Sequence, residues 1–321
     1  MIGSAPPGVP RQRLLLGCFP EPRRDDLASV VELAQLADEL GLELLGLQDH
    51  PYQAAYLDAL TLATHLLART SRVTVFTDVA NLPLRPPALL ARAAASMSLI
   101  SAGRFQLGLG AGGFWDAIWA MGGPRRRPGE SVEALEEAIA VIRLLWSGQP
   151  SVSYAGRHYR LSGARPGPAP EPMPEIWVGA YGPRMLSLVG RVADGWLPSS
   201  PYAAPEKLPQ MTARIEAAAE RAGRDPRAVR RLYNVQGAIT DGPRAGFLQG
   251  PPESWVEDLL PLVVEQGFGG FILWPVEPRY EQVRRFALEV GPLLRRAVGE
   301  ESLPGDGTAA PGEPGRRVPP V

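Results

Sequence analysis

Between residue 13 and about residue 296, strand-like apolar runs alternate with amphipathic helical stretches eight times. That alternation leaves few folds open, because a strand covered by helices on both faces reads as a continuous apolar run and pairs in parallel through βαβ units. The first unit places a strand over 14–19 and a helix over 26–40. Val30, Val31, Ala34 and Ala37 form the inner face of that helix, Ser29, Glu32, Gln35 and Glu39 form the outer face, and Gly41 supplies a left-handed cap. The remaining strands are predicted over 44–47, 73–77, 105–109, 176–179, 195–197, 232–239 and 270–273. A helix after strand four carries Val132, Leu135, Ile139, Ile142 and Trp146 at three- and four-residue steps. Residues 150–162 break the pattern as an inserted hairpin, a proline-rich connection over 166–174 leads back to strand five, and Pro261 should kink or shift the seventh helix.

A chain of 321 residues with this pattern suits one α/β domain, a single TIM (β/α)8 barrel with a hairpin and loop inserted after strand four. The expected domain covers residues 12–299, between a flexible N-terminus (1–11) and a disordered Pro/Gly-rich tail (300–321) whose few apolar side chains cannot offset ordering entropy. A formal net charge of -1 argues against a nucleic-acid partner, and the run Arg125-Arg126-Arg127 reads first as a solvated loop. Cys18 is the only cysteine, which excludes an internal disulfide and a thiolate metal cluster, and Lys207 is the only lysine. No signal peptide or membrane-length apolar run is present, so a cytoplasmic location is expected.

The segment Gly108-Leu109-Gly110-Ala111-Gly112-Gly113 satisfies the spacing of a dinucleotide fingerprint. Its context does not. The third glycine should open a helix, with an acidic residue about 20 residues on at the end of the next strand; here the bulky sequence Phe114-Trp115-Asp116 follows, and Glu133, Glu136 and Glu137 lie within a helical pattern. The glycines instead mark the exit of strand four into a barrel mouth, where barrel active sites gather. At the same end stand Gln48-Asp49-His50-Pro51-Tyr52 after strand two, the loop from Asp78-Val79-Ala80-Asn81 to Pro87 after strand three, and Gly179-Ala180-Tyr181-Gly182 ahead of a helix beginning near Pro183. Free amides at that helix start make an anion site.

In these residues the chain resembles the bacterial luciferase-like monooxygenase superfamily, especially its branch that uses the deazaflavin coenzyme F420. The resemblance spans about residues 13–296 and rests on Asp49-His50, on Asn81-Leu82-Pro83-Leu84-Arg85-Pro86-Pro87, on the stretch from Leu99 to Gly113, on the loop from Gly179 to Arg184, and on Ala193-Asp194-Gly195-Trp196. It implies a flavin- or deazaflavin-dependent oxidoreductase, working by hydride transfer or monooxygenation on a small organic molecule, in a homodimer. F420 is the favoured cofactor and FMN the alternative. The resemblance places a non-proline cis peptide at Asp78-Val79 beneath the ring, and gives the cofactor phosphate to the amides of Gly179, Ala180, Tyr181 and Gly182. Two departures narrow the substrate: Gly113 stands where sugar-phosphate dehydrogenases of the branch carry a catalytic glutamate, and the strand-four loop lacks the cysteine of light-emitting luciferases.

His50 is the candidate proton donor or acceptor, with Asp49 orienting it or bonding the cofactor. A structural hydrogen bond for His50 and a turn cap for Asp49 are the competing readings. Asp78, Val79, Asn81, Gly110, Gly112 and Asp116 are candidate cofactor contacts, although Asp116 equally suits a cap for a short helix. Phe114, Trp115 and Trp119 suit either an apolar substrate pocket or a loop folded over the barrel. Trp274 closes strand eight, where packing is weighed against ring contact. His65 and His158 read as structural. Two other functions compete with this reading: a non-catalytic cofactor-binding protein, and a metal-dependent hydrolase built on Asp49, His50 and Asp58, for which no paired histidine ligands exist.

Overall fold

The computed structural model describes residues 13–300. The expected flexible N-terminus and nearly all of the expected disordered tail lie outside the described residues. Eight strands form the centre: β1 (Leu15–Cys18), β2 (Leu44–Leu47), β3 (Thr74–Thr77), β4 (Phe105–Gly110), β5 (Ile176–Val178), β6 (Gly195–Trp196), β7 (Arg230–Ile239) and β8 (Gly270–Pro275). Each pairs in parallel with its sequence neighbours, and β8 pairs with β1 to close the barrel. A two-residue strand, Ala80–Asn81, adds to the end of β4 at Leu109 and Gly110.

Helices cover the outside: α1 (Leu27–Glu39), α2 (Ala59–Arg69), α3 (Pro87–Ile100), α4 (Trp115–Ala120), α5 (Pro128–Leu145), α6 (Pro183–Val192), α7 (Leu208–Arg221), α8 (Pro252–Val264), α9 (Arg279–Arg285) and α10 (Gly291–Ala297), the last two joined by a π-helical turn over Phe286–Val290. Sequence chemistry sets their ends. Asp58 caps α2 by accepting from the Thr61 amide at 2.9 Å, and Pro87, Pro128 and Pro183 sit in first turns, where a missing N–H costs nothing. At the far end of α1, the buried Asp38 carboxylate accepts from the amides of Ser71, Arg72 and Val73 and so sets the entry to β3. Gly41 has φ +78°, the left-handed cap expected of it.

Two sequence expectations need refinement. α8 runs through Pro261 without a break, because the proline lies in the last turn, where a single backbone bond is forfeited. The hairpin pairs Val152–Ala155 with Arg160–Ala164, and its turn is tied down from outside by Glu137, which accepts from the amides of Arg157, His158 and Tyr159.

The apolar interior is divided. A large core lies between barrel and helices, while a separate cluster of Phe19, Leu44, Phe76, Trp177, Leu197, Leu232 and Ile272 plugs the barrel itself. The period-2 pleat explains the partition, since Leu44 and Gly46 face inward while Leu45 and Leu47 face the helices. Phe76 meets Trp177 edge to face at 5.0 Å between centroids. This plug is the floor of the site.

Candidate active site

All eight strand ends contribute to one cavity of about 460 Å³ at the C-terminal mouth of the barrel. Its floor is Phe19 from β1 and Trp274 from β8, with ring centroids 5.4 Å apart, together with the top of the interior plug. Trp274 therefore packs in the barrel and faces the cavity at once.

One wall is built by a charge clamp. Asp49 is buried, and its carboxylate accepts two bonds from the Arg85 guanidinium, at 2.5 and 2.7 Å, and a third from the Asn81 amide at 2.8 Å. Arg85 also reaches Asp58 at 2.6 Å. Both carboxylates considered for metal binding are thus engaged by one arginine, and Asp49 acts on the site by fixing the loop after β3 against the end of β2. The bidentate geometry is the arrangement only arginine provides.

His50 is half-buried beside this clamp. Its Nδ1 lies 2.7 Å from the Tyr52 hydroxyl, and its ring packs among Tyr52, Tyr56 and Phe114. Burial lowers its pKa, with the Asp49 charge pulling the other way, while burial followed by the Asp49 charge pushes Tyr52 up to about 12. A neutral imidazole bonded at Nδ1 to a neutral phenol leaves Nε2 as donor or acceptor according to tautomer. Such a pair can give or take one proton at Nε2.

The opposite wall is the segment from Gly179 to Gly182. The Gly179 amide is used by the Leu109 carbonyl, and the Trp196 indole donates to the Ala180 carbonyl at 2.9 Å, which turns this loop. Among the described residues the amides of Ala180, Tyr181 and Gly182 have no hydrogen-bond partner. They stand at the N-terminus of α6, where the helix dipole favours an anion.

Between the walls, the peptide Asp78-Val79 is cis. The Val79 side chain is held between two glycines: a Cβ at Gly110 would come 2.6 Å from Val79 Cγ2, and one at Gly179 would touch both its methyls at 3.4 Å. Of the glycines that resemble a nucleotide fingerprint, Gly110 therefore makes room for this bulge. Gly112 needs its freedom for another reason, φ +94°. Gly113 is unlike them, with open space where a side chain would go.

Of the predicted residues, Asp49, His50, Asp78, Val79, Asn81, Gly110, Gly112, Phe114, Gly179, Tyr181 and Gly182 line this cavity. Ala180 is buried and does not line it. Asp116, Trp115 and Trp119 lie on α4 and do not line it. Asp116 points to solvent and pairs with Arg125 at 2.6 Å; the same guanidinium lies 5.7 Å over the Trp119 ring, and Trp115 packs on the Gly112 turn. Sequence reasoning places Tyr52 in the loop after strand two without a role, and misses Met185, Ser199, Tyr202 and Asn234. Local sequence does not single out Asn234, since β7 carries two amides, Asn234 and Gln236, and only Asn234 reaches the cavity.

Comparison with known proteins agrees with this geometry. The family described as luciferase-like monooxygenase matches residues 9–245, and the chain belongs to that family. It is 30% identical over 241 residues to an F420-dependent glucose-6-phosphate dehydrogenase of Gordonia bronchialis, covering 70% of this chain and 68% of that protein. It is 31% identical over 223 residues to an F420-dependent hydroxymycolic acid dehydrogenase of Mycobacterium tuberculosis, covering 66% and 59%. The chain thus spans about three fifths to two thirds of these two curated relatives. In fold it is similar to an F420-dependent secondary alcohol dehydrogenase in complex with an F420-acetone adduct, with a TM-score of 0.77 and 19% identity over 88% of this chain and 99% of that one. A long-chain alkane monooxygenase is similar in fold as well, with a TM-score of 0.73 and 16% identity over 88% and 91%.

Proposed function

We propose that this luciferase-like oxidoreductase binds coenzyme F420 across the barrel mouth and exchanges hydride with a small organic alcohol or carbonyl compound. One observation carries the reading: a single cavity joins an aromatic floor to the unpaired amides of Tyr181 and Gly182 at a helix N-terminus, with that of Ala180 next to them in the same loop. The floor would take the ring, and the amides of Ala180, Tyr181 and Gly182 its phosphate. The bound cofactor supplies the two-electron chemistry. The chain's own residues bind, orient and manage the proton. His50 Nε2 is the group that gives or takes it, the Tyr52 hydroxyl fixes the tautomer, and the Asp49–Arg85 clamp holds the His50 backbone in register. Phe114, 60% exposed at the rim, is placed to cover the ring from solvent.

The similarity to F420-dependent dehydrogenases favours F420 over FMN, which the same floor and amides would accept. Gly113 offers no acid to a sugar-phosphate substrate, which favours a less polar one. The protein is also proposed to work as a homodimer, supported by the exposed Leu89, Leu99 and Ile100 on α3 beside a shallow groove lined by Leu60, Ala93 and Met97. Purified protein titrated with F420 and with FMN, read by absorbance and fluorescence quenching, tests the cofactor. Micromolar binding of F420 is expected, and failure of both cofactors to bind overturns the reading.

A further inference from the structure

The carboxyl group of Asp78 has an unusual setting. It follows Phe76 on the inward face at the end of β3, so it stands on top of the aromatic plug. A Cβ built at Gly46 would come within 3.2 Å of Asp78 Oδ2 and within 3.0 Å of the rings of Phe19 and Phe76, so this oxygen rests against the backbone of β2 among aromatic carbon. It is buried and accepts no hydrogen bond. Two further buried acceptors facing the same cavity are equally unpartnered, Asn234 Oδ1 from β7 and Asn81 Oδ1 from the wall beside it.

An ionised carboxylate is acceptor-only and needs donors or a cation. None stands here. Among the described residues no arginine or lysine lines the cavity. The titratable groups facing it are Asp49, His50 and Tyr52 from the end of β2, Tyr181 after β5 and Tyr202 after β6. Asp49 is engaged by Arg85, burial keeps His50 neutral, and the Tyr181 phenol is raised by burial first and by the Asp78 charge among lesser causes. Burial pushes Asp78 itself up to about 7, with the Asn234 amide pulling the other way.

We propose that Asp78 enters the cavity as a neutral carboxylic acid, and that its O–H, beside Asn234, is the donor the barrel floor offers to a carbonyl oxygen or unprotonated ring nitrogen of the bound heterocycle. The identity of that heterocycle rests on the cofactor reading above; the protonation of the free site does not. Where Asp78 is ionised in the free protein, binding draws one proton from solvent onto the carboxylate, and no electrons move. Above the free-state pKa, the dissociation constant should therefore weaken about tenfold per pH unit.

Carboxyl-detected NMR of protein labelled with 13C-aspartate, compared with Asp78→Asn, identifies the Asp78 resonance. Titration near neutrality is expected, and titration in the ordinary carboxylate range overturns the proposal. Calorimetric titration with F420 at pH 8, in two buffers of different ionisation enthalpy, should show uptake approaching one proton per site in the wild type. Asp78→Asn should show none, with a dissociation constant flat in pH because its amide supplies the donor, whereas Asp78→Ala should bind at least about tenfold more weakly. Equal pH slopes for wild type and Asp78→Asn refute the donor role. If neither F420 nor FMN binds any variant, the cofactor reading and the donor role fall together, while the NMR titration still decides the proton on Asp78.

Discussion

Replacing Arg85 by methionine tests whether the clamp or the hydrophobic packing holds the mouth of the barrel. The substitution keeps most of the aliphatic stem and removes the charge. Asp49 then loses two of its three hydrogen bonds and keeps only the Asn81 amide, with its side chain 1% exposed. Asp58 loses the same partner but is 46% exposed on its side chain, so water replaces it at little cost. The penalty falls almost wholly on Asp49, where breaking a buried pair from one side costs about 3–5 kcal/mol. For a cooperative unit of about 290 residues, an unfolding entropy near 2.1 cal/mol/K per residue converts this to a Tm lower by roughly 5–8 °C. Differential scanning calorimetry at neutral pH reads it directly. The double variant Asp49→Leu/Arg85→Met removes the stranded charge and should recover at least about half the loss, while F420 binding remains weakened because the loop after β3 has lost its tether. A single variant with unchanged Tm, or a double variant no better than the single, would refute the argument.

Asp78→Asn should stabilise the free protein with a particular pH dependence. A carboxyl whose folded pKa is raised from 3.8 to about 7 is destabilising once it must ionise. The wild type should therefore lose stability relative to the variant as pH rises from about 4 to about 7, and level off above it. About three units at 1.36 kcal/mol each gives a gap of order 4 kcal/mol at pH 8, measured by urea unfolding at several pH values. His50→Gln should retain cofactor binding while lowering kcat by about 10²–10⁴, the usual worth of a positioned acid or base, and unchanged turnover removes His50 from the reaction. Two glycines should part company in thermal unfolding: Gly113→Ala stays within about 0.5 kcal/mol of wild type, whereas Gly110→Ala loses about 1–3 kcal/mol because its methyl meets Val79.

The barrel was readable because βα units announce themselves twice, in the apolar runs of the strands and in helix stripes such as Leu135, Ile139 and Ile142. The mouth was readable where local chain chemistry marks its lining, as at Asp49-His50 and at the loop before Pro183. Residues that reach the site through tertiary placement were not. Asn234 enters because an inward position on β7 falls level with Asp78, and no local spacing encodes that register. The α4 residues erred in the other direction, since Trp119 and Asp116 look like site residues until Arg125 is seen to satisfy both at the surface. Arg85 carries no local sign of its role, because its partners lie 36 and 27 positions away.

The separation of the barrel plug from the outer core bears on how such a protein diversifies. Seven buried side chains set the depth of the site, and they form a cluster apart from the core that joins helices to strands. Trimming Phe76 or Trp177 would deepen the pocket at a cost of about 3–5 kcal/mol. Set against a total stability of about 5–15 kcal/mol, one such step consumes a large share of it and two together, at about 6–10 kcal/mol, most of it. New substrates of greater length are therefore reached one floor residue at a time, each step waiting on stabilising changes elsewhere, while the rim is reshaped freely at Gly113, where a new side chain takes up cavity space and displaces no protein atom.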